Sequence, residues 1–354
     1  HDYQNNLQLS GLFNIVSIKP SLKDKKNNPK IPVLVQYEPI NKTQYRIGFG
    51  YNTDTQFNGS IGYTQNRLGE RGEKINTEIH LSEKKVDLQA NIFIPKSHPK
   101  FDFYTIETQY LDETIITENR DKNIYLTFNH TWIENYSQTH FFDRKTSIIY
   151  TIDWSKAEDE PTIKRQLIYP KLIYQYIFKS PERTIIASLG AEIEGNTEFL
   201  LSNLSFYKVL LYSNIRTSEF YNLRLLIKNR FGILNSSNTL PLSWYFRTGG
   251  TYTVRGFDYE SIGEEELTQN KMMFTHTTEI QRKLYESIYA SLFYDAGNAN
   301  EDIFTSKASQ SLGTGLVWES PFGDIELSLA WPIQNYSIDQ DHYKFHIALK
   351  KGFY

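Results

Sequence analysis

The residues best suited to do chemistry lie in Thr248-Gly249-Gly250-Thr251-Tyr252-Thr253-Val254-Arg255-Gly256-Phe257-Asp258. One arginine stands among three glycines, residues that let the backbone take tight turns. A guanidinium is permanently charged, and its planar fork suits a two-point contact with a carboxylate. The surrounding segment, 233–270, is the longest without strand alternation. Long irregular segments in a regular fold are usually functional or disordered. An ordinary surface loop carrying a chance arginine is the competing reading at this point.

Covalent and metal chemistry find little support. The chain has no cysteine, which removes thiolates and disulfides and suits a periplasmic or cell-surface setting. Eight histidines among many Ser and Asp guarantee that some Ser-His-Asp set exists, so its presence carries no information. No metal-ligand spacing occurs. His276 and His346 are single strand residues that read as girdle or lumen positions. The expectation is no catalytic residue, no metal and no cofactor. A formal charge of −3 gives no electrostatic case for nucleic acid.

The elements that position the arginine are strands. The chain holds 25 Tyr and 22 Phe, both strand formers. No apolar run is long enough for a spanning helix. From Gln44 onward the pattern has period two. Tyr45, Ile47, Phe49 and Tyr51 share one face, and Arg46, Gly48 and Gly50 share the other. Ile288, Ala290, Leu292, Tyr294 and Ala296 oppose Ser291, Phe293, Asp295 and Gly297. Sixteen such strands are predicted, near 44–54, 59–68, 73–83, 85–94, 100–112, 122–134, 144–156, 163–178, 183–194, 199–214, 219–232, 271–284, 287–297, 309–319, 323–332 and 342–354. An even count, strands near ten residues and turns alternating short and long (Glu113–Asp121 among the long) describe a membrane β-barrel. Its alternation keeps mean hydropathy low. A soluble propeller or sandwich would use shorter strands. Residues 1–43 differ: a helix end capped at Gly11, two short strands and a polar turn at 23–29. They are too few for a core of their own.

Strand parity sends Asp295 and Glu279 to the polar, lumen side, where a loop arginine folding inward would meet both. Solvated lumen charges with no partner remain the alternative. A second site is the seam between first and last strands. Gly48 and Gly50 weaken pairing beside Tyr51. Gly352, next to Lys351 and Tyr354, would let the last strand bend away. A seam that opens sideways would expose an edge to which a client strand adds by main-chain hydrogen bonds. Glycines that merely relieve crowding in a closed barrel are the other reading.

Gly249-Gly250 with Val254-Arg255-Gly256-Phe257, and Phe293-Tyr294-Asp295-Ala296-Gly297, resemble the two signatures of the outer-membrane barrel insertases and translocators, the BamA/TamA family with the two-partner secretion transporters. Tyr45 to Asp54, Gly315 to Gly323 and Leu329 to Pro332 look most like the TamA branch. The resemblance covers nearly the whole chain and implies an all-β, sixteen-stranded antiparallel transmembrane barrel over 44–354. It implies that residues 1–43 end a periplasmic POTRA module and that 233–270 is an external loop folding into the lumen. It pairs Arg255 with Asp295, with Glu279 as second acceptor and Phe293 and Gly297 beside them. It also implies unfolded outer-membrane clients such as autotransporters, an inner-membrane-anchored TamB-like partner and no covalent catalysis. A BamA-like general insertase, a two-partner secretion channel and a passive pore are the alternatives.

Overall fold

The computed structural model describes residues 7, 12–20, 33–54, 56–98, 100–115, 120–135, 139–156, 161–182, 184–198, 202–264, 267–320, 323–334 and 343–350. The predicted helix end (Leu7 apart), the polar turn at 23–29 and the seam residues Lys351, Gly352 and Tyr354 lie outside them.

Two sheets form. β1 (Phe13–Pro20) and β2 (Val33–Pro39) make a small antiparallel pair. The second sheet has sixteen strands, each hydrogen-bonded antiparallel to the next in the chain. They are β3 (Thr43–Asn52), β4 (Gln56–Gln65), β5 (Lys74–Ser82), β6 (Lys85–His98), β7 (Asp102–Thr114), β8 (Arg120–Asn135), β9 (His140–Lys156), β10 (Ile163–Lys179), β11 (Ile185–Asn196), β12 (Phe206–Thr217), β13 (Leu223–Ser236), β14 (Met272–Tyr285), β15 (Ile288–Asn300), β16 (Ser309–Ser320), β17 (Gly323–Gln334) and β18 (Lys344–Lys350). The sheet curls until its ends meet, giving an all-β, nearly closed barrel with the expected strand number. Among the described residues no backbone ladder joins β3 to β18. The small β1–β2 sheet is tied to the barrel at the β4–β5 turn, where Asn66 and Arg67 donate to the Asn41 and Ile40 carbonyls.

Several boundaries differ from expectation, among them the end of β6 at His98, expected at 94, and the start of β9 at His140, expected at 144. The strands expected at 199–214 and 219–232 form at Phe206–Thr217 and Leu223–Ser236. The hairpin turn falls at Tyr221 and Asn222, whose φ values are 51° and 61°. Asn accepts this left-handed conformation at little cost. The loop expected at 233–270 is 237–271, because Ile233 to Ser236 stay in the ladder opposite Val209 to Phe206. The ends of the long connection expected at Glu113–Asp121 are also ladder, since Glu113 pairs with Asp121 and Thr114 with Arg120.

Side chains alternate as the pleat requires. Outward rows carry exposed Tyr45, Ile47 and Phe49 on β3 and Leu312, Leu316 and Trp318 on β16. Inward rows carry Asn129, Thr151, Asp153 and Arg165, all buried. The main hydrophobic core therefore lies inside the lumen. Leu240, Trp244, Tyr245 and Phe246 of the β13–β14 loop pack there on Leu167, Tyr169, Phe206, Leu234 and Met273 of the wall. Tyr169, Phe206 and Trp244 form a triangle of edge contacts with ring centroids 5.0–5.4 Å apart, the geometry aromatic quadrupoles prefer.

Candidate functional site

The β13–β14 loop enters the barrel and is held at three places. On the β8–β14 side the hold is the apolar core, trimmed by polar contacts. Arg165 Nε donates to the Thr239 carbonyl at 2.7 Å, the Ser243 N–H to Asp121 at 2.6 Å and Lys208 Nζ to the Trp244 carbonyl at 2.8 Å. These contacts satisfy loop backbone groups that burial removes from water.

The second hold is Arg255. Its Nε and Nη2 donate to the two Asp295 oxygens at 2.7 and 3.1 Å, and its backbone N–H reaches Asp295 at 3.2 Å. Nη1 donates to Glu279 at 2.9 Å and to Glu326 at 2.8 Å. The guanidinium lies 3.4 Å over the Phe293 ring. Both Arg255 and Asp295 are buried. A planar fork meeting a carboxylate on two N–H groups is the strongest ion-pair geometry a side chain offers. The structure thus brings Arg255, Asp295, Glu279 and Phe293 together and adds Glu326 of β17. The sequence reading missed Glu326, although it shares the lumen parity of Asp324 and Ser328.

The motif residues around Arg255 set the approach. Val254 and Phe257 are fully buried and cluster with Ile262. A Cβ at Gly297 would stand 2.7 Å from Val254 Cγ2, so the bare backbone there allows the loop to come close. Gly256 has φ +92°, a conformation costly for any side-chain-bearing residue. Gly249 and Gly250 form the preceding turn, with Gly250 N–H donating to the Val254 carbonyl at 3.1 Å.

A third set of contacts was not anticipated. His346 of β18 is fully buried. Its Nε2 accepts the Gly256 N–H at 3.0 Å. Its Nδ1 lies 3.0 Å from Thr251 Oγ1 and 3.6 Å from Asp54 Oδ1. Asp54, in the β3–β4 turn, accepts the Thr251 N–H at 2.7 Å. Burial raises the Asp54 pKa, but hydrogen bonds from His346 and Thr251 outweigh it and hold the carboxyl below its ordinary value. Lys344, also on β18, pairs with Asp258 of the loop. His276 by contrast lies on the outward face, bonded to Asn229 and Thr278 at 2.7 and 2.9 Å.

At the seam, Gly48 and Gly50 face inward, and the side chains of Ser60 and Asn58 occupy the space above them. Tyr51 faces outward and packs on Phe57 at 5.1 Å.

Fold and site together define a sixteen-stranded membrane barrel with an arginine-latched loop in its lumen. The Omp85 superfamily domain matches residues 42–353, and the chain belongs to that superfamily. The family places it in the outer membrane. Among solved structures, BamA from Haemophilus ducreyi lacking POTRA domains 1–3 is similar over 98% of this chain and 77% of its own, at 14% identity and TM-score 0.76. CdiB from Escherichia coli is similar over 98% of this chain and 69% of its own, at 13% identity and TM-score 0.66. CdiB from Acinetobacter baumannii is similar over 97% and 66%, at 14% identity and TM-score 0.63. At these identities the likeness is one of fold.

Proposed function

We propose that this barrel inserts or exports outer-membrane protein clients through the seam between β3 and β18, in the manner of the TamA branch. The observation that carries the reading is the seam itself: two edge strands meet and no backbone ladder joins them among the described residues. An edge with free N–H and C=O groups is a template to which an unfolded client strand adds by main-chain hydrogen bonds. Autotransporter-like clients and a TamB-like partner anchored in the inner membrane belong to this reading. Residues 1–43 then form the end of the last POTRA module, with 44–354 as the barrel. The Val254-Arg255-Gly256-Phe257 motif keeps the plug seated while the seam works, and no residue acts by covalent catalysis.

A disulfide across the seam tests the reading. The chain has no cysteine, so pairs scanned between β3 and β18 are the only thiols present. Oxidation is expected to stop client assembly and reduction to restore it. Full client assembly by the oxidised protein would overturn the proposal. A passive pore predicts a large steady bilayer current from the intact protein, and the apolar plug argues for a small one. Co-purification of a TamB-like partner rather than general-insertase accessory proteins favours the TamA branch over a BamA-like role.

A further inference from the structure

We propose that His346 is a positioning residue that holds the lumen loop on the last strand only while its imidazole is neutral. The contacts assign its protons. A backbone N–H can only donate, so Nε2, which faces the Gly256 N–H at 3.0 Å, must carry a lone pair. The single ring proton therefore sits on Nδ1, directed at Thr251 Oγ1, Thr53 Oγ1 and Asp54 Oδ1, which lie at 3.0, 3.5 and 3.6 Å. One side chain of β18 thus joins the turn after β3 and two points of the loop.

Adding a second proton alters the two sides of the ring in opposite ways. Toward Asp54 the imidazolium gains an ion pair. Toward Gly256 it places one N–H against another, and the hydrogen bond that seats the arginine motif on β18 is lost. The charged groups around the ring do not undo this. Arg255 is committed to Asp295, Glu279 and Glu326. Lys344, on the same strand, is committed to Asp258. The position of β17 paired with His346 is Ser328, which is uncharged. Asp54 titrates below the ordinary carboxylate range. Its folded-state pKa is depressed, so its stabilisation is present above the ordinary carboxylate range and is lost only as pH falls through the lower folded value. A change in loop seating above the ordinary carboxylate range is therefore not that of Asp54, and the His346→Gln comparison below assigns it to the imidazole.

The inference rests on the reading of the loop as a plug beside a working seam, but it is tested without client or partner. Spin labels at Tyr252→Cys on the loop and Tyr285→Cys on the opposite rim report loop seating. Labels at Phe57→Cys and Phe345→Cys report the seam. All four side chains are well exposed. In lipid nanodiscs the loop distance distribution is expected to be narrow at about pH 8 and broad at about pH 5, with the seam distance unchanged. His346→Gln keeps an acceptor for the Gly256 N–H and cannot titrate, so it should stay narrow at both. His346→Leu should be broad at both. If His346→Leu does not fold, the wild-type and His346→Gln pair decides. A wild-type loop that stays narrow in acid, a His346→Gln loop that broadens there, or a seam that widens while the loop stays seated would each overturn the proposal. Because the readout is a distance, loss of client assembly in the seam-disulfide experiment neither supports nor overturns it.

Discussion

The wall at β8 to β10 and the seam at β3 and β18 are built to opposite specifications. β8, β9 and β10 have 16, 17 and 17 residues. β3, β4 and β5 have 10, 10 and 9, and the described span of β18 has 7. A tilted strand needs about 9–11 residues to cross a bilayer. The wall therefore extends well past the membrane, while β3, β4 and β5 only just cross it. The wall also has the loop's aromatic core against its inner face, whereas the seam has glycines there. Strength is concentrated on one side, so any opening is confined to the other.

That contrast can be broken at several points. The largest expected effect is in amide exchange, which follows local opening free energy. Amides of β3 and β18 along the seam should exchange orders of magnitude faster than those of β8 to β10, measured by hydrogen–deuterium exchange mass spectrometry in nanodiscs. Equal protection would mean that the seam is as firmly closed as the wall.

Next comes Arg255→Ala, which leaves three buried carboxylates without their cation and should destabilise by about 3–5 kcal/mol. Urea unfolding measures the loss, and protease cleavage of 237–271 should rise with it. Arg255→Lys should recover only part of the stability, because an ammonium cannot make the forked contact. Wild-type stability in Arg255→Ala would show that the wall core alone seats the loop. Leu240→Ala removes a fully buried side chain from that core and should cost about 2–5 kcal/mol in the same assay. Exchange at β3 and β18 should stay as it was. If the seam loosens as well, the two sides are coupled more tightly than their contacts imply.

Much of this was legible in the sequence because the signals are local. Alternation gives each strand and assigns each residue to a face, so the inward side chains of Asp295 and Glu279 followed from parity. Boundaries failed where one residue redirected the chain, as Asn222 does. Glu326 had the correct parity, but nothing marked it out from other lumen carboxylates. The Asp54–Thr251–His346 set could not be read at all. It exists only once the sheet curls, and it joins Thr53 to a residue 293 positions away.

The sequence distances within the latch bear on the order in which the barrel assembles. Arg255 finds Glu279, Asp295 and Glu326 within 24, 40 and 71 residues. Its loop packs on β9, β10, β12 and β13 before it and on β14, β15, β17 and β18 after it. The C-terminal two-thirds can thus gather around the loop as a curved half-shell before β3 arrives. Thr251 and Asp54 are 197 residues apart, and closing long chain segments is the slow, entropically costly step. The seam is then the last contact made in folding, and a barrel halted just short of it would already hold a seated plug.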